Sequence, residues 1–526
     1  MCLIRLNLKV IFSSAILYMF YSFIALFFLF FLVMMNQTRF INYAVFLDSL
    51  AYLEIAVFIL AFCLAVYFAH HGYALEEACF VSKPGCLLGR FSALLIVSSF
   101  VCAVPLLYIV AASVSERTEL YFSCLAAAYF ILRWLSTLLV SQSLGFLAGS
   151  LLKKTFVYLL AAPFAIIFSH LNGSFLSMFL DADRMTAVSN LLSLQKSLIF
   201  GVDIDYAGPR VDLLFAVKCA LALLFALFIA AATVAAAQKK FAPKTAAAMC
   251  SCLAVIALFC HIYISIFPKG YSYGDKLYVT ADRSGGYRVA SYEGDIRLSE
   301  YGDYKCLVTV EKGRGDLMFR LDGVFEIEKL ALEGRDVQYS RSGDFIVIPE
   351  KEIPDRASFS VELLYGGRVR YRSDADSLNI YTSWFSSALP PNFAFIPIID
   401  GDLSVKAYNF HVACANTLIS NLAVESGDGY TVSGKSNTFC LFCGFLTQFE
   451  KEGVIFYRAK YNKSTDYWGE YQSALTRRYL NPHTYELASG AIAKPQKVLM
   501  IYYLYGTVGN PVVFDDYIML NYGFPG

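Results

Sequence analysis

Six histidines, His70, His71, His170, His261, His411 and His483, are the side chains best suited to hold a metal or move a proton near neutral pH. A peptidase zinc centre needs two of them four apart on one helix face with a glutamate base between, as in His-Glu-x-x-His. None of the six stands in that frame. His70-His71 closes an apolar run and reads as interfacial. His411 falls on an alternating segment, and His483 follows Pro482 in a turn; both read as structural. Cys440-x-x-Cys443 has no second pair of Cys or His, and on one strand its thiols face opposite sides. No catalytic residue, no metal site and no cofactor is expected.

Gly429-Tyr430-Thr431-Val432-Ser433-Gly434-Lys435-Ser436 fits the phosphate-loop pattern, and FAFIPIID ending at Asp400 imitates a magnesium-binding strand. A phosphate loop must follow a strand and open a helix, so that free backbone N–H groups hold the phosphates. The residues that follow, NTFCLFCGFLTQFEKEG, are apolar and strand-like, and Pro397 interrupts the supposed acidic strand. A hairpin turn is the preferred reading.

The remaining chemistry-bearing groups lie where charge is costly. Of the 526 residues, 57% are apolar or aromatic and only 16% charged, with mean hydropathy +0.54. A soluble domain is usually about 45–50% apolar and about 25% charged. The excess is confined to residues 1–267, which hold 16 Lys and Arg against 11 Asp and Glu; the rest holds 27 against 31 and has ordinary soluble composition. Neither part carries a basic patch suited to nucleic acid. Residues 1–267 therefore form one domain in lipid, and 268–526 a second in water.

Seven runs approach the ~20 apolar residues that a span needs: 10–35, 44–69, 91–113, 119–149, 154–170, 211–236 and 246–267. Arg5 and Lys9, then Lys83 and Arg90, Lys153 and Lys154, and Lys239, Lys240 and Lys244 all fall on one side if seven spans alternate. Basic loops mark the cytoplasm. The expectation is a multi-pass cell-membrane protein with its amino terminus inside and residues 268–526 outside. Glu54, Arg133 and Lys218 are charges inside spans. Glu54 and Arg133 sit at comparable depth and are expected to pair across a helix interface, while Lys218 can snorkel.

The loop HHGYALEEACFVSKPGCLLGRF (70–91) and the segment SLGFLAGSLLKKTFVYLLAAP (143–163) resemble, in arrangement, type-2 ABC exporter permeases over roughly residues 1–237. The resemblance implies a coupling helix that docks on a separate ATPase subunit through Glu76, Glu77, Lys83, Pro84 and Arg90. It also implies a homo- or heterodimeric permease partner. A seventh span departs from that family's usual six and would thread the chain outward.

From 268 onward the pattern changes to short alternating segments separated by Gly, Asp and Ser: 304–313, 323–334, 343–352, 357–367, 404–414, 453–461 and 497–506. One helix-like stretch, 466–480, interrupts them. An antiparallel β-sandwich or saddle is expected. GYRVASYEGDIRLSEYGDYKCLVTVE, LEGRDVQYSRSGDFIVIP and FSVELLYGG resemble the amino-terminal β-domain of gluzincin aminopeptidases, and SWFSSALPPNFAFIPI resembles its Trp/Tyr-Pro segment. That family next has a Gly-x-Met-Glu-Asn strand. Gly506-Thr507-Val508-Gly509-Asn510 agrees only at Gly506 and Asn510, with Gly509 in place of the amine-binding glutamate.

Together the two resemblances imply a permease subunit of an ABC exporter, lacking its own ATPase and not itself an enzyme, with a non-catalytic external β-domain for substrate or partner contact. One alternative is a membrane-anchored zinc aminopeptidase-like protein whose catalytic part is truncated or on another chain. The other is a non-transporting surface binding protein.

Overall fold

The computed structural model describes residues 2–37, 43–70, 83–115, 119–152, 155–169, 171–180, 182–194, 212–238, 243–270, 285–372, 378–391, 393–402, 404–460, 497–500, 512–513 and 517–520. The chain divides into two compact units at Phe267/Pro268.

The amino-terminal unit is helical. In lipid every backbone N–H and C=O must be satisfied within the segment, which leaves the helix as the solution for long apolar runs. Its longer helices are Ala15–Gln37, Tyr43–His70, Lys83–Ser99, Leu120–Leu151, Leu213–Gln238 and Pro243–Ile266. They are apolar on every face, as expected of helices with no watery side. The Tyr43–His70 helix is central: Phe58, Phe62 and Val66 pack with Val140, Leu144, Ala222 and Ile229 from two other helices. Large side chains elsewhere face outward, including Met19, Leu26, Leu107 and Val114. Contiguous apolar surface of this kind suits a lipid solvent.

Among the described residues four helices are long and apolar enough to cross a membrane: Leu53–His70, Leu120–Leu151, Leu213–Ala235 and Ala246–Ile266. Four of the seven expected spans reach that length among the described residues. The other three runs give shorter apolar helices, Ala15–Phe30, Gly89–Ser99 and Phe156–Ile167. Backbone chemistry explains two of them. The expected span 91–113 starts earlier, at Lys83, then breaks into a 3-10 turn at Phe100–Cys102 before Ala103–Ser115. Pro105 has no N–H to give the carbonyl of Val101. The expected span 154–170 opens as a 3-10 turn, Thr155–Leu160, and ends as Ala161–Ile167. Those rises give about 22 Å, short of a hydrocarbon core of about 30 Å.

The carboxyl-terminal unit is mostly β. Its largest sheet has eight strands in the order Ala423–Gly427, Gly429–Ser436, Lys406–Ala413, Arg288–Arg297, Gly302–Glu311, Ser358–Gly367, Phe325–Leu332 and Arg335–Asp336. Alternation sets the faces: in Gly302–Glu311, Tyr304, Cys306, Val308 and Val310 point inward while the residues between them face out. The inner face packs on a three-stranded sheet (Leu317, Phe319, Ile346, Ile348) and on a six-stranded sheet (Ile380, Leu389, Leu418, Leu441). The far side of the six-stranded sheet, through Tyr381, Ile419, Cys440 and Phe442, packs on a third layer through Tyr457, Leu499 and Tyr517. Leu441–Gly444 is thus buried on both faces, which accounts for its unbroken apolar run.

The sheets are not wholly antiparallel as expected. Arg288–Arg297 pairs parallel with Lys406–Ala413, with Tyr292 opposite Tyr408 and the rings stacked at 5.2 Å. Val454–Ala459, Lys497–Met500 and Tyr517–Leu520 also run parallel. Local alternation reports which face is buried but not the direction of a distant partner, and parallel pairing requires a crossover that leaves no local trace. The expected helix 466–480 lies outside the described residues.

Candidate functional site

In the helical unit the structure brings Glu54 and Arg133 together. Arg133 Nε lies 2.6 Å from Glu54 Oε1, and both side chains are buried. Lys218, also buried, is close enough to act on the same carboxylate. The three groups come from three helices, Tyr43–His70, Leu120–Leu151 and Leu213–Gln238, so the pair is the polar joint of the bundle. Lys218 is enclosed rather than snorkelling outward. Three further contacts along the Leu120–Leu151 helix fix its register. Gln142 donates to Ser98 Oγ at 2.6 Å, and His70 Nε2 lies 3.0 Å from the Leu152 carbonyl. The third is steric: a Cβ on Gly145 would sit 2.5 Å from the Phe62 carbonyl oxygen and 2.8 Å from Ala65 Cβ, and Gly149 is as close to Ala69. Glu54 opposite Arg133, Phe62 opposite Gly145 and Ala69 opposite Gly149 show the two helices running parallel. The Gly-x-x-x-Gly spacing was visible in the sequence as a close-packing signal.

Of the residues expected to meet an ATPase, Glu76 and Glu77 lie outside the described residues. Lys83 and Pro84 form the first turn of the Lys83–Ser99 helix, where a proline costs no hydrogen bond. Arg90 sits two turns in and is buried. The segment after 170, for which the sequence offered no role, holds the short helices Asn172–Leu176 and Ala182–Leu192. They are tied into the unit by Ser189 donating to Asn172 Oδ1 at 2.6 Å and Tyr263 donating to Asn190 Oδ1 at 2.9 Å.

In the β-unit the phosphate-loop pattern is a strand. Gly429–Ser436 pairs with Ala423–Gly427 on one side and Lys406–Ala413 on the other, so the hairpin turns at Asp428, before the pattern begins, and Lys435 lies opposite Ala407. Its N–H groups serve the sheet, and no helix follows before Leu441–Gly444. The described residues contain no group of three or more His, Cys, Asp or Glu able to hold a metal. His411 lies on the outer face opposite Asp295, in a row where Asp295 meets Lys305 and Arg297 meets Asp303 across strands. These residues line an open depression of about 290 Å³. Alternating signs let this surface hold a polar chain.

The segment SWFSSALPPNFAFIPI forms the second feature of the unit. Ser383 Oγ donates to the Ser386 carbonyl at 2.6 Å and accepts the Ser386 N–H at 3.1 Å, while Ser387 Oγ donates to the Ser383 carbonyl at 3.0 Å. The closed turn presents Trp384 and Phe385, 40% and 43% exposed. Below it Phe393 and Phe395 are buried in the core. Gly506 and Asn510 lie outside the described residues.

No protein-family model and no curated protein sequence matches the chain. Solved structures do. An M1 zinc metallopeptidase mutant from Deinococcus radiodurans is 11% identical over 48% of this chain and 64% of its own, with TM-score 0.32. Leukotriene A4 hydrolase from Saccharomyces cerevisiae is 8% identical over 49% and 42%, with TM-score 0.30. Legionella pneumophila aminopeptidase A is 16% identical over 45% and 31%, with TM-score 0.31. The match spans less than two thirds of each of those chains. The expectations of an ABC exporter permease subunit and of a chain that is not itself an enzyme are corrected: the solved structures found are a zinc metallopeptidase, a leukotriene A4 hydrolase and an aminopeptidase. Basic loops between apolar helices are common to multi-pass proteins, so that arrangement did not distinguish an exporter.

Proposed function

We propose that this chain is a membrane-anchored protein of the zinc aminopeptidase class, in which residues 268–526 are the amino-terminal β-domain and residues 1–267 hold it to a bilayer. One observation carries the reading. The segments that resemble the gluzincin β-domain fall on strands of the eight-stranded sheet and of the three-stranded sheet packed against its inner face. GYRVASYEGDIRLSEYGDYKCLVTVE gives the Arg288–Arg297 and Gly302–Glu311 hairpin, and FSVELLYGG gives its neighbour Ser358–Gly367. The intervening turn gives Arg335–Asp336 and Phe345–Ile348. The described residues do not fit a zinc centre, so the catalytic part belongs to residues outside them or to another chain. What the described residues supply is position: a rigid multilayer support, a polar outer face and the Trp384–Phe385 turn.

The test is to isolate the full chain under gentle conditions from its native membrane, with whatever it retains, and to measure release of a fluorophore from aminoacyl-coumarins. Hydrolysis that a chelator abolishes and zinc restores is expected. A preparation that holds the chain and its companions but releases no more fluorophore than a mock isolate would overturn the proposal.

A further inference from the structure

Of the cysteines described in the β-unit, Cys306 and Cys440 are fixed apart. Cys306 is fully buried in the inner face of the eight-stranded sheet. Cys440 points to the far side of the six-stranded sheet, its thiol 3.4 Å from Asn421 Oδ1. Cys414 and Cys443 instead meet. Cys414 directly follows the strand Lys406–Ala413, and a short turn returns the chain into Thr417–Ser420, which pairs antiparallel with Leu441–Gly444 so that Leu418 lies opposite Cys443. The turn lays Cys414 over Cys443. Both thiols aim at one carbonyl: Cys414 Sγ lies 3.4 Å and Cys443 Sγ 3.7 Å from the Asn416 oxygen. They also hydrogen-bond each other. Cys443 Sγ is 3.9 Å from the Phe385 carbonyl as well, and Asn416 Nδ2 donates to that same carbonyl at 2.9 Å. The thiol pair therefore sits under the Trp384–Phe385 turn.

We propose that Cys414 and Cys443 form a reversible intramolecular disulfide by exchange with a small-molecule disulfide such as oxidised glutathione, Cys414 attacking and Cys443 resolving. Environment divides the roles. Cys414 is part-exposed and Cys443 buried. The hydrogen bond from Cys443 holds the Cys414 thiol below its ordinary value, while the same partner and burial push Cys443 well above its own. The thiolate is the nucleophile, so the lowered and reachable thiol reacts first. Its thiolate forms a bond to one sulfur of the small disulfide, and the departing thiolate takes up the proton that Cys414 released. Cys443 then loses its proton, attacks the Cys414 sulfur and expels the second small thiol, which takes that proton. Two protein thiols are oxidised and one small disulfide is reduced to two thiols. The new bond joins the end of a strand in the eight-stranded sheet to the strand next to the edge of the six-stranded one, locking the turn between them.

The experiment equilibrates the full chain in detergent across oxidised-to-reduced glutathione ratios, quenches with acid, alkylates, digests and maps peptides by mass. A Cys414–Cys443 linked peptide about 2 Da lighter than the two thiol peptides together, and reversed by dithiothreitol, is expected, with Cys306 and Cys440 remaining alkylatable. Cys443→Ser should stop at a glutathione adduct on Cys414, and Cys414→Ser should slow adduct formation at Cys443 at least tenfold. Iodoacetamide labelling of Cys414 should be half-maximal below the usual thiol pKa of about 8.5. Recovery of Cys414 and Cys443 as separate alkylated peptides at every ratio overturns the bridge, as does linkage of either to another cysteine. A half-maximum at or above the usual value overturns the assigned order of attack. The map of the unmutated chain decides the matter even if a variant misfolds, and none of these readouts depends on peptidase activity.

Discussion

Glu54 shows what a single buried charge does in this molecule. Its carboxylate faces Arg133 at 2.6 Å with Lys218 nearby, so it is one anion between two cations. Breaking a buried ion pair by removing one partner leaves an uncompensated charge and typically costs about 3–5 kcal/mol. Glu54→Gln would leave two facing cations, whereas Arg133→Met would leave one anion and one cation. We therefore expect Glu54→Gln to lower the thermal midpoint of the detergent-solubilised chain more than Arg133→Met, with the double variant recovering much of the loss. Equal losses would show that Lys218 does not share the carboxylate. At the water-facing surface the stakes are smaller. Glu362 is held below the ordinary carboxylate value by the hydrogen bond from Lys329 at 2.7 Å. Its folded pKa is depressed, so its contribution is present above the usual 4.5 and lost as pH falls through the lowered value. Urea midpoints of the chain and of Glu362→Gln should differ at pH 7 and converge as pH drops below about 4, with less difference in high salt.

At the scale of elements, helix contact and strand direction both depend on close approach. Gly145 lets the Leu120–Leu151 and Tyr43–His70 helices touch through backbone, because any Cβ would meet the Phe62 carbonyl at 2.5 Å. Association in lipid gains little from burying apolar groups and depends on such packing. Gly145→Leu should force the helices apart and pull Glu54 away from Arg133. A large fall in thermal midpoint and loss of the folded monomer peak in detergent are expected, while Leu151→Ala, at an exposed site on the same helix, should change neither. The Phe100–Cys102 turn makes a second element-scale case. Pro105→Ala restores an N–H donor four residues after Val101 and should extend helix through the break, read as greater helical ellipticity; no change would mean that tertiary packing, not the proline, sets the turn.

For the whole molecule the open question is the side of the membrane. We propose that all seven apolar runs cross, the shortest by local thinning of the bilayer, which places the amino terminus in the cytoplasm and residues 268–526 outside, in keeping with the basic residues at 5 and 9, 83 and 90, 153 and 154, and 239 to 244. Protease added to intact cells should then remove the β-unit and leave a protected fragment of helices. A β-unit that is cut only after permeabilisation would reverse the orientation. The outcome also bears on the thiol pair, because disulfides persist in oxidising compartments and are rare in the cytosol.

Composition and local pattern by themselves determined a great deal. The contrast between a 1–267 segment poor in charge and a 268–526 segment of ordinary polarity marked the division into two units. Period-two alternation located Gly302–Glu311, Ser358–Gly367 and Lys406–Ala413 to within a few residues, because burial of one face is written into every second side chain. Other features were decided only in three dimensions. Gly429–Ser436 became a strand rather than a loop because two neighbouring strands took up its N–H groups. The parallel match of Tyr292 to Tyr408 spans more than a hundred residues of chain. Cys414 and Cys443 carry no spacing signal, and they meet because a turn folds one sheet over the edge of another. Local sequence encodes which face of an element prefers water, whereas partners distant along the chain are chosen by the packing that closes the core.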